Sequence, residues 1–495
     1  MAGCAEALLS SGSPGTAVAP FVRVLRSESA KPASYRRREP EKTLLHRTIR
    51  EHLSTFLRDL EETDVRLPRT VTKELQAYLS CGQLSAGFIR GECRDCRSTL
   101  LVAFSCKGRT ACPSCGAKRM AAEAAHLVDR VFPSVQVRHW VLSLPFDLRY
   151  VLARQRGLLS SVLRIFVDEV FLRYGASFKG AAKVQGGAVA SIHRGDSALR
   201  LSPHFHVVFL DGVYLLRDEA PLSFVASETP SDLELRRIAG RVARRVRRLF
   251  IRRGFLTDDG VPLEQLDEGL PEERAPFGWL TQDGEVILSE PNGAGAGASR
   301  GEVAGFSVFA SGKVAAKDRA RLEKLCRYVA RPPLANERLK EANDGRIAIA
   351  LKKPRRGGET HAFLTPLQLI RRISSLIPPA GMNLIRYFGI LAPAAKHRAK
   401  VVPVPEVELD LHPTATPEPE APRPSGGVDW ASLLRRVYDL DALRCPCGGR
   451  IRILSVIEDP AVIRRILGHL KLPVEPAPRS RARAPPEGQA QFESA

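Results

Sequence analysis

His204 and His206 bracket one bulky residue in the run Leu201-Ser202-Pro203-His204-Phe205-His206-Val207-Val208-Phe209-Leu210-Asp211-Gly212. Strand side chains alternate between faces, so both imidazoles project from one side while Phe205, Val207 and Phe209 offer the other to a core. Two neighbouring imidazoles make a site for a divalent metal. With 11 histidines in 495 residues the pair also arises by chance, so its meaning depends on what else the chain carries. Beside a basic surface, such a metal suits phosphodiester chemistry, in which the cation polarises a phosphate and stabilises developing charge. The attacking group is then an activated water or a side chain. Tyr328, between Arg327 and Arg331, is the best placed of the eight tyrosines, because flanking cations favour both the phenolate and an approaching phosphate. Tyr174 and Tyr214 lack that flank. As third metal ligand, Asp211 is nearest in sequence, although strict alternation from His206 turns it away unless Gly212 or a bulge redirects it. His193, on the preceding strand, and Asp196 in the turn are further candidates.

Cysteines supply a second chemistry. Cys93-x-x-Cys96 and Cys112-x-x-Cys115, with fifteen residues between them, have the spacing of a four-thiolate zinc ribbon or knuckle, a closed structural site. Cys106 or Cys81 could replace one of the four or simply be buried. Arg90, Arg94, Arg97, Lys107, Arg109, Lys118 and Arg119 make this region basic, as a nucleic-acid-binding finger would be.

Elements must position these groups. Apolar residues keep helical spacing from His46 to Leu79, an Ala-rich helix follows the cysteines near Lys118 to Val131, and Val135 to Leu144 reads as a strand closed by Pro145. Leu148 to Tyr174 reads as one long helix. Gly187 to Arg194 and Leu199 to Leu210 read as a hairpin joined by Gly195-Asp196-Ser197, with Val213 to Leu216 extending the sheet. Ser231-Asp232-Leu233-Glu234 opens a helix with a capping box. That helix carries nine arginines between Arg236 and Arg253 and no acid, and Arg241, Arg244, Arg245 and Arg248 are expected to contact DNA, with Arg327 and Arg331. Phe306 to Phe309 reads as a strand, Asp318 to Arg331 as a basic helix stopped by Pro332-Pro333, Arg346 to Leu364 as a hairpin and Pro366 to Ile377 as a helix.

The balance of 75 Lys and Arg against 54 Asp and Glu, a formal charge of +21, favours a polyanionic partner, nucleic acid being the usual one. No apolar run reaches the ~20 residues of a membrane span and no signal-peptide pattern opens the chain, so a soluble, intracellular protein without membrane association is expected. Ten cysteines, mostly in close pairs, point to metal and not to a secreted disulfide framework.

The runs Phe104-Ser105-Cys106-Lys107-Gly108-Arg109, Cys112-Pro113-Ser114-Cys115, Trp140-Val141-Leu142-Ser143-Leu144-Pro145, His204-Phe205-His206 with Asp211-Gly212, and Arg327-Tyr328 with Arg331-Pro332-Pro333 resemble, in this order, the rolling-circle insertion-sequence transposases. These are HUH-type single-strand DNA transposases with an N-terminal zinc-binding domain. The resemblance runs from about residue 40 to 472 and includes Leu391-Ala392-Pro393 and Cys447-Gly448-Gly449. It implies an α+β chain: a small zinc-ribbon-like N-terminal domain, then an HUH endonuclease domain whose antiparallel sheet has the histidine strand central and helices packed on it. It implies that His204 and His206, with Asp211, hold Mg2+ or Mn2+ against a scissile phosphate, and that Tyr328 attacks to give a 5′-phosphotyrosine and a free 3′-hydroxyl. The structural ion would be Zn2+, the partner single-stranded element ends, and the location the bacterial cytoplasm, nucleoid-associated; no protein partner is indicated. Three positions depart from the pattern. Position 324 is Lys and 332 is Pro, where two-tyrosine members place their second Tyr, so the chain resembles the single-tyrosine branch; Phe309 stands where relatives usually carry His; and Cys445-Pro446-Cys447 is one residue shorter than the usual knuckle.

The expected organisation is a disordered leader at 1–40, a helical zinc-binding domain at 41–131, a catalytic domain at 132–400 with a variable insertion at 256–300, a Pro-rich linker at 401–428, a small module at 429–472 and a disordered tail at 473–495. Two other functions fit the same residues. A non-catalytic zinc-ribbon DNA-binding protein would merely pack His204 and His206, and a water-using metal-dependent nuclease would cleave without becoming attached to DNA.

Overall fold

Helical spacing between 44 and 80 produces two helices: the first closes at Thr63, ahead of Asp64 with a φ of +51°, and Pro68 sits as N-cap of the second. They are α1 (Leu44–Glu62) and α2 (Arg69–Ser80). In the computed structural model, residues 37–176, 178, 183–216, 222–257, 299–354, 357–404, 433–436, 441–476 and 478–483 are described. Most of the expected leader, central insertion and Pro-rich linker, and the end of the tail, lie outside the described residues.

The cysteine region begins with a hairpin, β1 (Phe88–Cys93) and β2 (Thr99–Ala103), and leads into α3 (Pro113–Arg130), whose first turn is capped by the Cys112 sulfur accepting from the Cys115 N–H at 3.4 Å. Next come β3 (Val137–Ser143), α4 (Phe146–Arg154) and α5 (Arg156–Gly175). The expected single helix from Leu148 to Tyr174 breaks at Gln155. Leu152 and Leu159, two turns apart, are both buried, so periodicity continues through a break that the alternation alone does not mark. Then follow β4 (Lys183–Gln185), β5 (Gly187–Gly195), β6 (Leu201–Leu210), β7 (Gly212–Leu216), β8 (Ser223–Ala226) and α6 (Asp232–Arg252). Both reciprocal capping-box bonds are present: Glu234 N–H to Ser231 Oγ at 3.3 Å and Ser231 N–H to Glu234 Oε2 at 2.8 Å. The chain continues through β9 (Ser299–Val303), β10 (Phe306–Ala310), α7 (Arg319–Val329), β11 (Leu339–Glu341), β12 (Ile347–Ala350), β13 (His361–Leu364), α8 (Pro366–Leu376), β14 (Ile385–Gly389), β15 (Ile451–Ile457) and α9 (Pro460–His469).

The main sheet has six strands in the order β14-β5-β6-β3-β10-β9, each pair antiparallel, with the histidine strand β6 inside it. Register decides its two faces. On one, Phe205, Val207 and Phe209 lie with Trp140, Leu142, Ile192 and Val308 under α5 and α6. Burying a Phe completely stabilises the fold by about 1.5–3 kcal/mol, so this face supplies much of the core energy. On the other face, Val137, Val189 and Val208 pack against α3 and α7. Beyond them the same face carries the histidines. The molecule is therefore mixed α and β with antiparallel sheets, as expected. Smaller sheets have the orders β4-β7-β8, β11-β12-β13 and β15-β1-β2. The last was not expected: the C-terminal strand pairs with the N-terminal hairpin along its length, from Phe88 opposite Ile457 to Cys93 opposite Ile451.

Candidate active site and cysteine centres

His204 lies directly opposite His193 on β5, and the two imidazoles share the sheet face with His206. Ring centroids are 4.2 Å apart for His193 and His206, 5.1 Å for His204 and His206, and 5.2 Å for His193 and His204. One ring nitrogen of each lies within 4.8 Å of the others. The remaining nitrogens fix the tautomers, since a carbonyl can only accept. His204 Nδ1–H donates to the Ser202 carbonyl at 2.8 Å and His193 Nε2–H to the Val329 carbonyl at 2.6 Å. Lone pairs are thereby left on His204 Nε2 and His193 Nδ1. His206 Nδ1 meets His139 Nε2 at 2.9 Å, and His206 Nε2 is buried with no hydrogen-bond partner. An orphaned nitrogen beside two free lone pairs, each imidazole oriented by its second nitrogen, fits a divalent cation.

Burial lowers the basicity of all four rings, His139 to about 3 and His204 to about 4, with His193 and His206 held well below the ordinary histidine value. Arg331 adds to each of these shifts, so the rings stay neutral and available as ligands at neutral pH. His139, on β3, was missed by sequence reasoning. A lone histidine in an apolar strand carries no signal until strand register sets it beside His206.

Tyr328 stands over this face. Its ring meets His206 edge-on at 5.7 Å and His139 at 5.8 Å, with the Arg331 guanidinium 4.2 Å and the Lys352 ammonium 5.5 Å from its centroid. Partial desolvation, then the charges of Arg331 and Arg338, lower Lys352 to about 7, although the residue as a whole remains exposed. Lys324, one turn before Tyr328, is exposed. Phe309 pairs with Val141, which pairs with His206, so it lies on the histidine face two strands away from His206.

Asp211 is not part of this cluster, so the geometry does not support its expected place as third ligand; the side chain grouped with His204 and His206 is His193. Asp211 is fully buried and accepts two bonds from Arg138, at 2.9 and 2.7 Å, and one from the Tyr174 hydroxyl at 3.0 Å. Trp140 Nε1–H in turn donates to Tyr174 at 3.1 Å. Alternation carries Asp211 away from the histidines, and no bulge reverses it. Asp196 is likewise occupied, accepting from the Ala198 and Arg200 N–H groups in its turn.

The arginine helix is also redistributed. Arg241 and Arg245 bond to the buried Glu169 of α5 at 2.5 and 2.8 Å, whereas Arg244 and Arg248 are exposed. Their helix packs on the sheet face opposite Tyr328. Arg327 is paired with Glu323 on its own helix at 2.5 Å, and Arg331 alone of the named arginines stacks on Tyr328.

The cysteines form two groups of four, not the single set Cys93, Cys96, Cys112 and Cys115. One is Cys81, Cys106, Cys112 and Cys115; the other is Cys93, Cys96, Cys445 and Cys447. The hairpin is the reason. Cys93 and Cys96 sit at its tip, Cys81 and Cys106 at its base, and strands rising about 3.3 Å per residue hold the ends on the order of 15–20 Å apart. In the first group sulfurs lie 3.5 to 3.7 Å apart, close to the edge of about 3.8 Å that a tetrahedron with Zn–S bonds near 2.3 Å requires. Glu74 Oε1 secures the adjoining loop by accepting from the Arg109, Thr110 and Ala111 N–H groups. From Cys112, α3 runs back to pack on α7, and a Cβ added to Gly116 would sit 2.7 Å from Pro332, just beyond Tyr328.

Residues 48–144 match the family model described as "Transposase zinc-binding domain", and residues 187–399 match the one described as "Putative transposase", together more than half of the chain. The chain belongs to this family of transposases with an N-terminal zinc-binding domain. The transposase for insertion sequence element IS801 of Pseudomonas savastanoi pv. phaseolicola is 25% identical over 406 residues, 81% of this chain and 85% of that protein. No solved structure matches the chain. Among the described residues no helix is long and apolar enough to cross a membrane.

Three outcomes follow from this geometry. His139→Ala, which removes the partner orienting His206, weakens Mn2+ binding by about 10–100-fold in a calorimetric or electron-spin titration while the fold is retained. Asp211→Ala leaves Arg138 charged and buried without its partner, and lowers unfolding free energy by about 3–5 kcal/mol in a urea titration; unchanged stability with lost Mn2+ binding would restore Asp211 as a ligand. Cys112→Ser, distant from the imidazoles but at the start of the α3–α7 stack, loses tightly bound zinc and disorders α7, read as faster amide exchange across Arg319–Val329.

Proposed function

We propose that this transposase nicks and joins single-stranded DNA with Tyr328 as nucleophile, at a Mg2+ or Mn2+ held by His193, His204 and His206. The observation that carries this reading is the placement of the Tyr328 ring edge-on to His206, beside three imidazoles whose free nitrogens converge. The bound cation would polarise the scissile phosphate and offset charge in the transition state.

The residues then divide the work. Arg331 and Lys352 lie against the Tyr328 ring, where their cationic groups would draw in the phosphate. Tyr328 Oη forms a bond to phosphorus as the bond from phosphorus to the 3′-oxygen breaks. The phenolic proton is lost, and the departing 3′-oxygen takes up a proton to become a hydroxyl. The product is a 5′-phosphotyrosine. Because one phosphodiester has been exchanged for another, attack by a 3′-hydroxyl reverses the step and joins strands without ATP. Exposed Arg244 and Arg248, across the sheet from Tyr328, suit a separate stretch of DNA backbone. In this reading residues 132–400 form the catalytic unit and 41–131 the zinc-binding one, and the protein works on the nucleoid of a bacterial cytoplasm.

Labelled single-stranded oligonucleotides carrying element ends, incubated with the protein and Mg2+, yield a denaturation-resistant protein–DNA adduct that Tyr328→Phe abolishes. Cleavage without an adduct would instead support a water-using nuclease, and retained binding with neither product a DNA-binding role alone. His204→Ala lowers adduct formation by at least about 10²-fold, the scale of losing one preorganised electrostatic group.

A further inference from the structure

The second cysteine group joins the two ends of the chain. Cys93 and Cys96 belong to the tip of the β1–β2 hairpin, whereas Cys445 and Cys447 come from a turn more than three hundred residues later, outside both matched stretches. Cys93 Sγ lies 3.5 Å from Cys447 Sγ, and Cys96 Sγ 3.5 Å from Cys445 Sγ. These separations are far too long for a disulfide and close to the tetrahedral edge of about 3.8 Å around zinc. The Ser98 hydroxyl sits 3.1 Å from both Cys96 and Cys445, in position to donate to a thiolate.

The missing residue in Cys445-Pro446-Cys447 is made good by backbone geometry. The Cys445 N–H donates to the Gly449 carbonyl at 2.8 Å and the Gly448 N–H to the Cys445 carbonyl at 2.9 Å, closing a tight turn in which Gly448 takes a φ of +96°. A Cβ at Gly449 would stand 2.9 Å from Cys93 Sγ and overlap the Asp95 carboxylate, so only glycine lets the turn approach the hairpin. Arg94 N–H seals the contact by donating to the Arg450 carbonyl at 3.1 Å.

We propose that Cys93, Cys96, Cys445 and Cys447 bind a second structural zinc, separate from that of Cys81, Cys106, Cys112 and Cys115, which clamps the C-terminal module onto the N-terminal domain. The module needs such a clamp. Its apolar contact with the hairpin region is a small cluster of four buried residues, Leu84, Phe88, Ile463 and Leu467, edged by half-buried Leu101, Ala103, Ile457 and Ile466, while Ile453 and Val456 of β15 are 57% and 59% exposed. A core this small does not hold a module in place without a staple. A four-thiolate zinc supplies one, and its binding energy becomes folding energy for both ends at once.

The test uses the full-length chain carrying His204→Ala and His206→Ala, so that imidazoles add no metal, and counts zinc by native mass spectrometry. Two zinc ions per chain are expected, falling to one when Cys445→Ser and Cys447→Ser are added. A count of one that the serines leave unchanged, or of two that they leave unchanged, overturns the proposal. If the serine variant loses both ions through misfolding, alkylation of the otherwise unaltered cysteines decides. Cys96 and Cys447 are exposed, yet should resist iodoacetamide until a chelator is added and then react together, with amide exchange in β1 and β15 rising in the same step. Rapid labelling of either thiol before chelation overturns the proposal.

Discussion

The register of β6 between β3 and β5 is the constraint on which the rest depends. Because successive side chains alternate, one pairing scheme sends Phe205, Val207 and Phe209 into the core and His204 and His206 to the opposite face. A slip of one residue would bury both imidazoles under α5 and α6 and expose three large apolar groups. The apolar face therefore enforces the position of the polar one. His193 and His139 are delivered by the same pairing, from strands on either side.

The histidine face also explains the electrostatics of the site. Its imidazoles are desolvated and lie near Arg331, so protonation is doubly unfavourable and the rings remain neutral donors of lone pairs. Arg331 acts on all four rings and Lys352 on His193, while Asp196 opposes them only weakly, at His204. Asp211, the carboxylate nearest in sequence, is instead spent on Arg138, neutralising a buried guanidinium where β3, the end of β6 and α5 meet.

Cysteine chemistry sets the remainder. The group at the start of α3 holds the helix against which α7 packs, and α7 carries Tyr328. Tyr328 is thus positioned from below by a cysteine group that does not touch the histidine face. The group at the hairpin tip brings in Cys445 and Cys447, so the N-terminal domain is completed by residues beyond the six-stranded sheet.

Much of this was legible in the residues themselves. Alternation around His204 and His206, the capping box at Ser231, the prolines after Tyr328 and the thiol pairs predict the elements and the chemistry, because each depends on contacts a few residues apart. The arginine helix was legible as a helix but not as a surface, since the acid that pairs Arg241 and Arg245, Glu169, lies on another helix. What the amino-acid sequence determined alone is the kind of site: paired imidazoles on one strand face, a tyrosine among cations, and thiols in numbers suited to zinc. Only the tertiary structure decided the partners. His193, not Asp211, lies with His204 and His206, His139 meets His206, and Cys93 and Cys96 join Cys445 and Cys447 instead of Cys112 and Cys115. The physical reason is common to all three. Local spacing sets which way a side chain points, whereas what it meets depends on strand register and on the rigid length of a hairpin, which the spacing of neighbouring residues does not encode.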